Sequence, residues 1–438
     1  MEKNQPRILN AWCMYDWANS AYSLVITSTI FPIYYGSITG DAPTVRLLGW
    51  EGNGSALFSY AVSFSFLLTA LLSPLLTAVA DYGGLKKRFM QTFAYMGSIS
   101  CVLLYFFTGL DTLVLGIIAF VFAGVGYNGS LVFYNAYLPE IATPDRYDRI
   151  SARGFSLGYI GSVLLLIFNL AMVMKPTWFG IDPENGGLAA RLSFVSVGLW
   201  WVGFSQITFR RLPHNVYRRP SGHNWLLNGF RTLQRVFREA RQIPALRRYL
   251  PAFFFYNMGV QTVMYLATLF GDQELNLPAE SLIVTILLLQ LLAIVGAWGF
   301  ARLSERFGNV STLAAMVVVW VGICGGAYFV QTAEHFYALA AVVGLVMGGI
   351  QALSRATYAK LIPAGAHEHA SYFSFFDVME KVSIVLGTLA FGVVVDLTGS
   401  MRNSILFLAL FFVVGLVLLL SMKHLRPRQS LVASAGKA

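Results

Sequence analysis

Asp16, Asn19, Ser20, Ser23 and Thr27 stand at offsets of 3, 4, 7 and 11 inside the first long apolar run, a spacing that stacks them on one face of a helix. A carboxylate there can titrate or hold a cation, and the neighbouring amide and hydroxyls can hydrogen-bond a polar solute. Tyr22 adjoins the stripe. Asp16 lies only about one turn inside the run, so a carboxylate that merely snorkels to the aqueous end is the open alternative. Milder stripes occur further along: Asn128, Tyr134 and Asn135 in the fourth run, Asn257, Gln261 and Tyr265 in the seventh, and Gln351, Arg355 and Tyr358 in the tenth. Arg355 carries a fork of donors suited to a carboxylate. Each Asn, Gln or Tyr can equally serve as glue between helices.

A second group of charges falls in the eleventh run, where Asp377 and Lys381 are four apart with the acid first, a favourable helical pair. Glu380 adds a second carboxylate, so two acids share one base and one acid can hold a proton at neutral pH. Glu380 and Asp16 are the candidates for proton coupling, with Asp377 and Lys381 as their setting. A fixed structural ion pair is the competing reading. A third group lies at the ends of the runs: Asp81 with Lys86, Lys87 and Arg88, Glu140 with Arg146, Arg149 and Arg153, and Glu305 with Arg306. Ion pairs that form and break there can hold one state of a moving bundle closed, and they can also simply fix topology.

All these charges need a scaffold that keeps them in apolar surroundings. The chain of 438 residues is 56% hydrophobic and 12% charged, against about 25% charged in soluble proteins. Its mean hydropathy is +0.62. Runs of at least the roughly 20 residues that cross hydrocarbon as helix recur along its length, so a polytopic membrane protein is expected and a soluble core is excluded. Twelve spans are predicted, at 11–36, 55–80, 89–108, 112–138, 150–174, 189–209, 249–270, 280–301, 311–331, 335–361, 370–395 and 403–423. The N-terminus is short and polar and the first run too long for a signal peptide, so that span is expected to be retained.

The net charge of +10 gathers on alternate connections, which points away from nucleic acid. One side carries Lys3, Arg7, Lys86 to Arg88, Arg146, Arg149, ten arginines between 210 and 248, Arg302, Arg306 and the tail from Lys423. The other has only Arg46, Lys175, Arg191 and Arg402, among acids such as Asp41 and Asp111. The excess places both termini in the cytoplasm. The long connection divides the chain into six-span halves, 1–209 and 249–438. Within 210–248, Leu226, Phe230, Leu233, Val236, Phe237 and Ala240 recur at helical spacing opposite Arg231, Arg235, Arg238 and Arg241. That pattern suits a helix lying on the membrane interface, with a solvated basic linker as the alternative.

The halves echo each other. In "VADYGGLKKRF" and "RLSERFGNVST", Asp81 matches Glu305 and Gly84 matches Gly308; "YDWANSAY" lines up with "YNMGVQTV", setting Asp16 opposite Asn257. Two parallel six-span repeats with a long cytoplasmic connection resemble the major facilitator transporters, whose sites lie near midplane between the repeats. "DYGGLKKR" is similar to their acidic, glycine-bearing and basic loop motif. Three longer stretches, "WCMYDWANSAYSLVITSTIFPIYY", "VFYNAYLPEIATPDRYDRISARGFSLGYIGS" and "GGIQALSRATYAKLIPAGAHEHASYFSFFDVMEKVSIVLG", resemble the Atg22-like branch of that superfamily over nearly the whole chain. The resemblance implies spans 1, 4, 7 and 10 around a central cavity. It also implies a bacterial inner-membrane permease whose fungal relatives are linked to amino-acid release from the vacuole.

Other matches carry no chemistry. "GVGYNG" fits a nucleotide loop and "GFSLG" a hydrolase elbow, but both need a strand feeding a helix. Here their glycines permit close helix packing. Cys13, Cys101 and Cys324 show no metal or disulfide spacing and read as packing residues. The expectation is therefore an all-α, twelve-helix secondary transporter of major facilitator fold, working as a monomer on a small polar solute, an amino acid first, with proton coupling as an option. Membrane lipids are its surroundings, and neither cofactor nor metal is implied. A carrier of amphipathic or lipid-like molecules is the runner-up, because Tyr22, Tyr127, Tyr134, Phe255 and Tyr256 lie on the candidate cavity helices. A lipid enzyme lacks any nucleophile constellation, and a non-transporting sensor is the remaining option.

Overall fold

The computed structural model describes residues 2–40, 44–47, 49–182, 185, 187–214, 225–363 and 365–422. Asp41, residues 215–224 of the predicted linker and the basic tail from Lys423 lie outside the described residues. The chain is almost entirely helical. The first half contains α1 (Pro6–Ala21), a π-helical stretch at Tyr22–Thr27, α2 (Ile30–Thr39), α3 (Gly54–Gly83), α4 (Lys86–Leu103), α5 (Leu113–Ala136), the short α6 (Leu138–Ile141), α7 (Tyr147–Met174) and α8 (Leu188–Arg211). A helix α9 (Trp225–Gln242) comes next, and then α10 (Pro244–Gln273), α11 (Ala279–Phe307), α12 (Asn309–Phe329), α13 (Ala333–Leu361), α14 (His369–Thr398) and α15 (Met401–Leu420). Two short antiparallel strands, β1 (Val45–Leu47) and β2 (Trp50–Gly52), join α2 to α3 with Arg46 opposite Glu51.

Ten helical stretches among the described residues are long and apolar enough to cross a membrane. The first helical segment and α10 are equally long but more polar, since they carry Asp16 and Asn19 in one and Arg247, Arg248, Asn257 and Gln261 in the other. Each predicted run holds helix, α1 and α2 sharing the first, and several helices run up to six residues further where charged ends continue them, while α9 and all but the first residue of α6 lie outside the runs. The hydrophobicity of the outer surface is what a bilayer requires: Leu67, Leu71, Leu164, Ile167, Leu291, Val295, Leu389 and Val393 are all exposed.

The packing repeats. In the first half α1 lies against α7 and α8, α4 against α5 and α8, and α3 against α5; in the second α10 lies against α14 and α15, α12 against α13 and α15, and α11 against α13. The seams between halves repeat as well, α3 with α14 and α11 with α7. Small residues allow this closeness, because van der Waals contact rather than hydrophobicity holds helices together in lipid. A Cβ on Gly344 would stand 2.7 Å from the backbone oxygen of Leu289, so any larger residue would wedge α13 from α11. The glycines of "GVGYNG" serve the same end, Gly126 against the backbone of Gly97 and Gly129 against Phe93. All three cysteines are buried and free.

Candidate functional site

The site is assembled where α1, α5 and α7 of the first half meet α13 and α14 of the second. Gly154, Gly158 and Gly161 of α7 face Asp16, Ser20 and Trp17 of α1, so α1 is drawn in until its carboxylate reaches the seam. Asp16 and Arg355 are both buried, and both guanidinium Nη atoms stand 3.3 Å from Asp16 Oδ2. Tyr134 donates its hydroxyl to the same oxygen at 2.7 Å. The remaining donors of Arg355 are also occupied. Nε gives to Ser151 Oγ at 2.9 Å, Nη2 to the Ser151 carbonyl at 2.9 Å, and Nη1 to Asn135 Oδ1 at 3.3 Å. Phe155, Trp12 and Tyr134 surround the guanidinium with ring centroids 4.2, 4.8 and 5.5 Å away. Five N–H groups thus find acceptors, all from the first half.

This occupancy changes the reading of Arg355. As a free clamp it would present open donors to a carboxylate; in this conformation it is a tie from α13 to α1, α5 and α7. Asp16 is likewise no snorkelling residue, since its carboxylate is turned into the protein and paired. A substitution at Gly154 reports on this arrangement, because its Cβ would run into Asp16 Oδ2 and stand 3.1 Å from Arg355 Nη2. Gly154→Val is expected to destabilise the protein by about 1–3 kcal/mol, the usual range for overpacking, in thermal unfolding of the purified chain. No loss of stability would mean that α1 and α7 can separate freely.

The rest of the first stripe is partly broken up. Asn19 is buried with its oxygen accepting from Ser20 at 3.4 Å, and its Nδ2 has no hydrogen-bond partner among the described residues. The π-helical stretch begins at Tyr22, so the face predicted to run straight to Thr27 changes phase there, with Ser23 half-buried beyond it. Tyr22 itself turns into the first half, 5.0 Å from the Tyr127 ring and 5.8 Å from Trp201. It does not join Asp16. In the second half Asn257 donates to Ser383 Oγ at 2.7 Å, a bond between α10 and α14. Gln351 accepts from Tyr159 at 2.6 Å, again across the seam.

On α14, Lys381 Nζ lies 3.2 Å from Asp377 Oδ1 and 3.4 Å from Glu380 Oε2. Ser73 of α3 donates to Asp377 Oδ2 at 3.2 Å, so this cluster too faces the other half. Gln261 reaches Glu380 Oε1 at 3.5 Å. Glu380 is the open member, its side chain 29% exposed against 4% for Lys381.

Toward the basic face the halves are joined at both seams. Asp81, at the end of α3, accepts from the Ser371 amide at 2.7 Å, the Ser371 hydroxyl at 2.8 Å and the Ala370 amide at 3.3 Å. It caps the start of α14, where helical N–H groups lack partners and the dipole favours an anion. Lys86 pairs with Glu140 and stands 3.7 Å from Asp81. At the other seam Glu305 grips Arg149 with two contacts, one of them 2.6 Å. Asp148 is buried beside it, accepting from Ser304 at 2.9 Å, Asn309 at 2.7 Å and Lys360 at 2.6 Å.

The expected pairings are therefore redistributed. Of the three bases grouped with Asp81, Lys86 is the one that stands near it and Arg88 is exposed. Glu140 meets Lys86 rather than Arg146, Arg149 or Arg153, because α6 turns it toward α4; Arg153 instead donates to Asn10 at 2.6 Å. Arg306 lies over the Phe307 ring and Glu305 pairs across the seam with Arg149. Asp148, Ser151 and Lys360 were not singled out by sequence reasoning, since an acid flanked by arginines at a helix start resembles a solvated end. The one available signal is that Asp148, a second acid after Asp145, lies between Arg146 and Arg149.

The described hydrogen bonds and ion pairs between halves run from Ser73, Tyr159, Gln351 and Asp377 to the basic face. Such a pattern holds that face shut. A transporter fold is also what known proteins point to. The family described as "Vacuole effluxer Atg22 like" matches residues 4–431. An uncharacterized MFS-type transporter of Bacillus subtilis, YxiO, is 33% identical over 94% of this chain and 93% of its own. Autophagy-related protein 22-1 of Penicillium rubens is 24% identical over 92% of this chain and 81% of its own. In structure the chain is similar to the major facilitator transporter FucP in the outward conformation, with a TM-score of 0.70 at 14% identity over 95% of this chain and 98% of that one. These are multi-pass membrane transporters rather than enzymes, and the chain belongs to the Atg22-like family of the major facilitator superfamily.

Proposed function

We propose that the protein is a twelve-span secondary transporter that carries a small zwitterionic solute, an amino acid, between its halves by alternating access with a coupled proton. The observation that carries this reading is the presence of both signs of charge along the seam, Asp16 with Arg355 and Asp377 and Glu380 with Lys381. A solute with an ammonium and a carboxylate can exchange partners with built-in pairs and leave no net buried charge, which would otherwise cost several kcal/mol per ion. Asn19, Ser23, Tyr134, Asn135, Asn257, Gln261 and Gln351 supply hydrogen bonds around it, and Tyr22 backs them. Two acids about one base allow the α14 cluster to take one proton.

Asp81, Glu140 and Glu305, with Lys86 and Arg149, form the gate of the basic face, while Arg88, Arg153 and Arg306 line its rim. The charge asymmetry supports a cytoplasmic position for that face and for both termini, and the bacterial relative favours the inner membrane. A monomer suffices, since both halves of the site come from one chain.

Flux of labelled amino acids into proteoliposomes under a proton gradient tests the reading. Glu380→Gln is expected to abolish gradient-driven accumulation while sparing exchange of solute for solute. If no amino acid is moved and none raises the melting temperature, the solute class is wrong. A second reading, an amphipathic substrate, draws on an apolar pocket in the second half, lined by Leu266, Phe270, Leu289, Phe336, Val343 and Phe391. Competition by long-chain amphiphiles without any by amino acids would favour it.

A further inference from the structure

α9 crosses the basic face beneath both halves. Its Thr232, Val236 and Ala240 are buried against the protein, and Gly229 packs on Val79 of α3. Asn228 donates to the Tyr82 hydroxyl at 3.1 Å, Arg235 pairs with Glu368, and Tyr372 of α14 donates to Glu239 at 3.2 Å. The helix thus spans the end of α3 and the start of α14, the same two elements that Asp81 joins from opposite halves.

Among the described residues, much of the rest of its circumference is uncovered. Phe230 and Phe237, seven residues apart, are 51% and 48% exposed, and Leu227 is 56% exposed. Arg231 and Arg238, also seven apart, lie exposed just beyond them, and the guanidinium of exposed Arg241 sits 5.4 Å over the Phe237 ring. None of these three arginines is in an ion pair among the described residues. Phe237 also packs on Phe375 of α14 with ring centroids 5.6 Å apart. From Phe375 the outward stripe of α14 continues through Val382, Leu386, Leu389 and Val393, all exposed on the hydrocarbon side. The aromatic flank of α9 is therefore the last step of a lipid-facing surface. Its arginines fall where headgroup phosphates begin, the arrangement of an interfacial helix.

We propose that this face of α9 binds anionic phospholipid headgroups, and that the bound lipid holds α3 to α14 and favours the state closed at the basic face. The proposal needs the seam and the bilayer, not the identity of the solute, so it stands or falls apart from the amino-acid reading. Full-length protein carrying spin labels at Asp145→Cys and Gly365→Cys, one on each half of the basic face, is placed in nanodiscs of phosphatidylcholine with or without phosphatidylglycerol. Phosphatidylglycerol is expected to shift the distance distribution toward the short, closed population. In native mass spectrometry, Arg231→Gln/Arg238→Gln/Arg241→Gln is expected to retain roughly tenfold less phosphatidylglycerol or lower still, and to lose the shift.

Equal retention by wild type and variant, or a distribution that phosphatidylglycerol leaves unmoved, would overturn the proposal. So would the same shift produced by inorganic phosphate in phosphatidylcholine discs, since the ligand would then be a soluble anion. Should the triple variant misfold, Arg238→Gln alone carries the test through the same two readouts, with a smaller loss of the same sign.

Discussion

Replacing Arg355 with methionine is expected to lower the unfolding free energy by about 3–5 kcal/mol, the range for removing one partner of a buried ion pair. Asp16 would keep only the Tyr134 hydroxyl, and Ser151 and Asn135 would lose their donors. The loss should shrink when Asp16→Asn is added, because the stranded charge goes with it and a thioether suits the ring of Trp12, Phe155 and Tyr134. A double-mutant cycle by thermal or denaturant unfolding in detergent measures that recovery. A double variant no more stable than Arg355→Met alone would show that Asp16 is not the charge Arg355 neutralises. Lysine is a poor replacement as well, since a point charge cannot reach three acceptors in different directions.

The second large effect belongs to Asp148, and it concerns which state is populated. Asp148→Ala removes the acceptor of Ser304, Asn309 and Lys360, three groups of the second half that close on one carboxylate of the first. Bonds to a buried charged group are each worth about 1.5–3 kcal/mol. A net loss of about 2–3 kcal/mol would change the ratio of closed to open molecules on the order of 30-fold or more. Ala352→Cys, buried at the seam, gives the readout, since its alkylation from the basic face tracks the open population. The neighbouring pair provides the contrast. Arg149 is 71% exposed, so Arg149→Ala should shift the ratio by no more than about fivefold. A larger effect from Arg149 than from Asp148 would reverse the assignment of the lock.

Much of the fold could be read from the chain because membrane helices announce themselves by length and apolarity. The weaker cases are α1 and α10, whose polar residues dilute the hydrophobic signal because they bond to other helices, Asp16 across the seam and Asn257 and Gln261 to α14. Asp81 and Glu305 were legible as counterparts because the loop they occupy recurs. Their partners were not, since Ser371 offers a backbone amide, which has no sequence signature, and Lys86 differs from Arg88 only in which way the first turn of α4 points it. Arg355 is legible as important from its type and place, but its partners, 204 to 339 residues away, are not, and in this conformation they occupy the donors that a solute carboxylate would take. Asp148 stayed hidden for the same reason, because burial by another half of the molecule leaves no local trace.

The widened turn at Tyr22–Thr27 has a mechanical meaning. It holds one more residue than an α-helix would, and Thr29 donates to the Leu24 carbonyl at 2.7 Å to satisfy an oxygen the wide turn leaves over. A residue inserted into a helix advances the remainder of that helix by about 100° and 1.5 Å. α1 and α2 are therefore two levers with independently set phases. The phase of α1 is fixed by Asp16 on Arg355, and that of α2 by Phe31, Tyr34 and Tyr35, with Tyr34 donating to Phe107 at 2.8 Å and Tyr35 to Gly54 at 2.9 Å. Were Asp16 freed from Arg355, α1 would therefore be expected to turn about the widened stretch while the contacts of α2 hold, a torsional joint rather than a rigid rod.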